Sequence, residues 1–110
     1  MPIEHPETFN DFTNLIKENK VCMVDFFATW CGPCKVLGES LKNKYQNDPS
    51  LRIIKVDIDN EEFTNLSEVC KVSALPFVVF FVNGVIQSEQ VVGNNLKQIV
   101  AYVDKFTKAD

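Results

Sequence analysis

The stretch Val21-Cys22-Met23-Val24-Asp25-Phe26-Phe27-Ala28-Thr29-Trp30-Cys31-Gly32-Pro33-Cys34-Lys35 decides how this chain is read. From Val21 to Ala28 it is almost unbroken apolar sequence without alternation, as in a strand covered on both faces within a parallel or mixed sheet. Asp25 is the one charge in that run. After Trp30 to Cys34 the pattern predicts a helix. Pro33 suits its first turn, where a missing N–H would have had no partner anyway, and Gly32 allows a tight approach. Cys31 and Cys34 thus fall where a strand ends and a helix begins, next to unpaired backbone N–H groups and the positive end of a helix dipole.

Working outward, Leu37, Leu41, Lys44 and Tyr45 mark one face of that helix, which ends near Asn47-Asp48-Pro49. Leu51 to Ile58 reads as the next strand and completes a strand-helix-strand unit. Upstream, Thr8 with Asp11 resembles a capping box, and Phe9, Phe12, Leu15 and Ile16 recur at helical spacing, so a helix is expected from Thr8 to Glu18. Downstream, Phe63, Leu66 and Cys70 form a short helical face beyond Asn60. Phe77 to Val82 and Val85 to Val92 flank Asn83-Gly84, a hairpin dipeptide that makes this edge antiparallel. Asn94 is the expected N-cap of a last helix carrying Leu96, Ile99, Val100, Val103 and Phe106. No linker or repeat interrupts the order, so residues 1–110 are read as a single domain.

A chain of 110 residues can bury about two-thirds of its unfolded surface. With 45% apolar residues and nine Phe it has the material for one core without disulfide staples. The net charge of −4 comes from acids scattered among lysines, with no basic stripe, so no nucleic acid partner is expected. Met1-Pro2-Ile3-Glu4-His5-Pro6 shows neither a positive n-region nor an apolar h-region, and no stretch is long enough to span a membrane. The expectation is a soluble, cytoplasmic protein.

A thiolate, not a thiol, attacks a disulfide, and the helix start lowers the pKa of Cys31. Cys34, one turn further in, is close enough to displace a mixed disulfide. A structural metal site is the alternative. Zinc takes four ligands, however, and no second Cys or His pair with ligand spacing exists, His5 standing alone near the start. No metal or cofactor is therefore expected. Asp25, inside an apolar run, should have its pKa raised by desolvation. Cys22 and Cys70 lie at apolar positions and read as inert hydrophobes.

Phe26 to Lys35, with Cys31-Gly32-Pro33-Cys34 at its centre, resembles the active-site segment of the thioredoxin family. The likeness extends to Asp25, Pro76, Asn83-Gly84 and Gly93 and covers essentially the whole chain. It implies an α/β thioredoxin fold, a central mixed sheet flanked by helices on both faces, and a protein-disulfide reductase. Cys31 would be the nucleophile, Cys34 the resolving thiol and Asp25 the buried proton acceptor. Cys31 and Cys34 would form the redox-active disulfide. Lys55 resembles a lysine that pairs with the acid in some members, the alternative for both being a structural salt bridge. Pro76 matches a proline preceded by a cis peptide bond, which would leave backbone groups of Leu75 free to bond an extended substrate. Trp30, Gly32, Pro33, Leu75, Pro76 and Gly93 would form a flat apolar docking surface, unless Trp30 is core packing. The implied partners are disulfide-containing proteins and a thioredoxin reductase carrying FAD and drawing on NADPH, the chain itself being monomeric.

Two departures stand out. Phe77 occupies a position that is commonly Thr, and is expected beside the substrate path, where it would alter partner range. Glu39 replaces a helix-kinking proline, with Gly38 before it as a possible loosening. The enzymatic rival is an isomerase or oxidase, which often has His where Pro33 stands. A rival of another class is a binding module that docks partners on the Trp30 surface without turnover.

Overall fold

A computed structural model describes residues 3–108 of the chain. Five strands, β1 (Ile3–Glu4), β2 (Val21–Phe27), β3 (Arg52–Asp57), β4 (Phe77–Val82) and β5 (Val85–Val92), form one sheet in the order β1-β3-β2-β4-β5. The β1–β3 and β2–β3 pairs are parallel, whereas β2–β4 and β4–β5 are antiparallel. The sheet is mixed, and β2 is its central strand. That position explains why the β2 sequence is apolar on both faces.

Four helices cover the sheet: α1 (Phe9–Glu18), α2 (Gly32–Tyr45), α3 (Thr64–Val69) and α4 (Leu96–Thr107), with a 3-10 turn over Glu61–Phe63 leading into α3. Side chains of a strand alternate between faces, so Cys22, Val24 and Phe26 of β2 pack with Phe12 and Ile16 of α1 and with Phe63, Leu66 and Cys70. Val21 and Met23 point the other way, onto Leu37, Leu41 and Tyr45 of α2 and Ile99 and Val103 of α4. Helices on both faces of a mixed sheet are what the resemblance implies. In α2, Lys44 departs from the expected apolar face and is exposed while Leu37, Leu41 and Tyr45 are buried.

Local chemistry sets the element ends. The Thr8 hydroxyl accepts the Asp11 N–H at 3.0 Å and starts α1. Asn83 and Gly84 both take positive φ, 52° and 80°, the backbone of a tight two-residue hairpin. The N-cap of α4 is Asn95, not Asn94: its side chain accepts the Gln98 N–H at 3.2 Å. The sequence offers two adjacent asparagines, and only the path of the chain out of Gly93 selects between them. Strand β1 is a further addition. Two residues carry no periodic signal, and β1 exists because β3 presents a free edge to Ile3 and Glu4, with Glu4 paired to Arg52 at 2.7 Å.

Candidate active site

Cys31 closes the turn out of β2 and caps α2. Its N–H donates to the Ala28 carbonyl at 3.2 Å, and its extended backbone (φ −92°, ψ 106°) aims its Sγ at the helix start, where it accepts the Cys34 N–H at 3.2 Å. Cys31 and Cys34 are joined as a disulfide, with Cα atoms 5.3 Å apart. In the reduced form a Cys31 thiolate would sit against that same N–H, at the positive end of a 14-residue helix, so the local structure favours the ionised nucleophile. The exposures are 6% for Cys31 and 2% for Cys34. Both are buried, and of the two Cys31 alone lines the surface cleft that Trp30 and Leu75 share. Helix α2 runs without a break through Gly38 and Glu39, so losing the proline leaves the cysteine end of the helix intact.

Asp25 is fully buried at the centre of β2, on the face covered by α2 and α4. Register places Lys55 of β3 directly beside it, and the Lys55 Nζ lies 3.3 Å from Oδ2. That is an ion pair; neither carboxyl oxygen accepts a well-formed hydrogen bond. Burial pushes the carboxyl from its ordinary 3.8 up to about 6, against the opposing pull of Lys55. The acid therefore exchanges its proton close to neutral pH. The Lys55 ammonium also stands 4.6 Å from the centre of the Phe27 ring.

The peptide bond between Leu75 and Pro76 is cis. The loop it shapes is tied to the end of β5, where the Gly93 N–H donates to the Pro76 carbonyl at 2.8 Å. Gly93 takes φ +84°, and the space over its Cα is open. Trp30, Cys31, Gly32, Pro33 and Leu75 line one cleft of about 520 Å³, together with Ile58, Val72, Ser73 and Ala74. Sequence reasoning missed these last four, since apolar and small residues on a connecting loop give no signal of their own. Trp30 is 69% exposed, which rules out a core role. Its indole N–H donates to Asp59 Oδ2 at 2.8 Å, a partner 29 residues away that no local pattern could reveal.

Phe77 overturns its expectation. The side chain is buried, joins the α1-side core and meets Phe26 edge-on at 6.3 Å between ring centres. A strand residue alternates away from its neighbour, so Phe77 turns into the core directly after the exposed loop. Cys22 and Cys70 are buried free thiols. Burial pushes the Cys22 thiol up to about 11 and raises that of Cys70 as well, so both stay protonated and unreactive. Among the described residues, no three His, Cys, Asp or Glu side chains converge so as to hold a metal ion, and no helix is long and apolar enough to cross a membrane.

A mixed sheet whose central strand delivers a cysteine pair to a helix N-terminus defines a dithiol-disulfide oxidoreductase. The thioredoxin family profile matches residues 4–105, and the chain belongs to the thioredoxin family. Thioredoxin-1 of Saccharomyces cerevisiae is 35% identical over 98 residues, an alignment covering 86% of this chain and 92% of that protein. The mitochondrial thioredoxin-3 of the same yeast is 40% identical over 74 residues, or 67% of this chain, which spans 57% of that protein's length. The crystal structure of the oxidised form of that mitochondrial protein superposes with a TM-score of 0.82 at 32% identity, covering 94% of each chain.

Proposed function

We propose that this chain is one domain, residues 1–110, acting as a general protein-disulfide reductase. The observation that carries the reading is the unequal placement of two buried cysteines: Cys31 caps the helix and lines the surface cleft beside Trp30, whereas Cys34 lies one turn in and lines none of it. The Cys31 thiolate attacks one sulfur of a substrate disulfide. The other substrate sulfur leaves as a thiolate, and a mixed disulfide forms on Cys31. Cys34 gives its proton to Asp25 and attacks Cys31 Sγ, which closes the Cys31–Cys34 bond and releases the second substrate thiolate. Two electrons pass to the substrate. A thioredoxin reductase returns the pair to the dithiol, as befits an electron carrier.

Lys55 tunes Asp25 through the 3.3 Å ion pair. Trp30, Gly32, Pro33, Leu75 and Gly93 form the substrate-docking surface, and Pro76, expected in it, is buried and shapes it from beneath through the cis bond after Leu75. The exposed indole, the cleft beneath it and the open space over Gly93 support that reading. The chain works as a monomer in the cytoplasm, a compartment reducing enough to keep the pair as thiols. Imaging of a C-terminally tagged chain tests the location, and a mitochondrial signal would replace it. Sedimentation of the reduced protein tests the monomer.

The deciding experiment is insulin reduction with NADPH and thioredoxin reductase. Catalytic amounts of the chain should precipitate the insulin chains. Insulin left intact would favour a binding module. Equilibration with glutathione should leave the pair more reducing than the glutathione couple, and the opposite result would favour an oxidase or isomerase.

A further inference from the structure

Helix α2 passes over β3 with no side chain at Gly38. A Cβ built there would lie 2.9 Å from the Lys55 Nζ, closer than real Cβ atoms stand to any neighbour. The ammonium thus occupies the volume that a side chain at position 38 would fill. From that seat it reaches Asp25 Oδ2 at 3.3 Å and the face of the Phe27 ring. Gly38 lies in the middle of a regular helix, its φ is not in the left-handed region, and no turn or cap requires it. Backbone conformation therefore does not account for a residue that weakens a helix interior.

We infer that Gly38 is a positioning residue: the side chain it lacks is what seats the Lys55 ammonium against the buried Asp25 carboxyl, and a methyl at that position would shift the ammonium and weaken the pair. A lysine tail is flexible, so a methyl at position 38 displaces the ammonium toward water without disturbing the helix, which gains a better helix former. Among the described residues, Lys55 is the one charged group acting on Asp25. Of the other elements on this face, β4 sets Val78 opposite the acid, α2 contributes Leu37 and Leu41 beside Gly38, and α4 contributes Ile99 and Val103. With the ammonium gone nothing opposes the effect of burial, and Asp25 should bind its proton more tightly. Cys34 would add a second titrating thiol on reduction, so the measurement belongs on the oxidised protein.

The structural half of this inference stands without the proposed chemistry; its kinetic half rests on Asp25 as the proton acceptor of Cys34. The test is the titration of the Asp25 carboxyl carbon, followed by NMR in the oxidised full chain, for the wild type, Gly38→Ala, Lys55→Met and the double variant. Gly38→Ala and Lys55→Met should each raise the Asp25 pKa by about half a pH unit or more. The double variant should match Lys55→Met alone, because the methyl acts only by moving the lysine. An unmoved titration in Gly38→Ala, or effects that simply add in the double variant, would overturn the assignment. A titration that moves as expected supports it even where the resolving step keeps its rate and pH profile. That combination would count against Asp25 as the proton acceptor and leave the seat of Lys55 in place.

Discussion

Asp25→Asn removes the ionisation of the most deeply buried charge in the sheet, and its effect on stability can be worked from the site. In the unfolded chain the carboxyl loses its proton near its ordinary 3.8; in the folded chain it does so near 6. Between those values the folded chain binds more protons than the unfolded one, so the contribution of this group to stability falls as pH rises. Nothing is lost below 3.8, and the whole cost is present above about 6. At about 1.4 kcal/mol per pH unit, a rise from 3.8 to about 6 comes to about 3 kcal/mol. Lys55 is already included in that figure, since its attraction is part of what holds the value near 6, and its side chain is 16% exposed and can turn toward water when its partner is neutral. Asparagine keeps the shape and cannot ionise. The oxidised Asn variant should therefore be more stable than the wild type by about 3 kcal/mol above about pH 7, and by less than about 1 kcal/mol near pH 4. Denaturant unfolding of both oxidised proteins across that range provides the measurement. A gain of equal size at both ends, or none at either, would refute the reasoning, since only ionisation makes the difference depend on pH.

The remaining predictions concern the site and its frame. Cys34→Ser should trap substrates as mixed disulfides on Cys31 that survive denaturation and dissolve in dithiothreitol, whereas Cys31→Ser should trap none; equal capture by the two variants would contradict the division of labour. In stopped-flow kinetics, Asp25→Asn should slow resolution of the mixed disulfide more than the initial attack, and equal slowing of both steps would remove Asp25 from the mechanism. Asp59→Ala, by freeing the Trp30 indole from its 2.8 Å hydrogen bond, should raise KM for protein disulfides by about two- to tenfold with little change in kcat; an unchanged KM would mean that the orientation of the indole does not matter. Phe77→Thr should cost about 3 kcal/mol in denaturant unfolding by opening a cavity against Phe26, without reordering substrates by kcat/KM. A reordering with stability intact would restore Phe77 to the substrate path.

Much of this molecule is legible without coordinates, because its informative residues act through near neighbours. The unbroken β2 run, the two-residue spacing of Cys31 and Cys34, Pro33 in the first turn and the Asn83-Gly84 hairpin depend on periodicity and backbone sterics, which are local. From these the mixed sheet, the helix order and a cysteine at a helix cap follow. The burial of Asp25 is also readable there, since a central strand that is apolar on both faces leaves its one acid nowhere to go.

What only the tertiary structure decided are contacts between residues far apart in the chain. The pairing of Asp25 with Lys55 at 3.3 Å depends on the register of β2 against β3, where a slip of one residue would turn the lysine to the other face. The tether from Trp30 to Asp59 depends on two loops meeting, and the two-residue strand β1 on an edge that β3 happens to offer. Phe77 reads in sequence as part of the loop because Ser73 and Ala74 just before it are exposed, but burial already begins at Pro76, and which face Phe77 takes follows only from the pairing of β4 with β2. Gly38 reads in sequence as a weak point in a helix. Its use as the space occupied by an ammonium from another element appears only when α2 is laid across β3, since an absent side chain has no signature until the atom that fills its place is known.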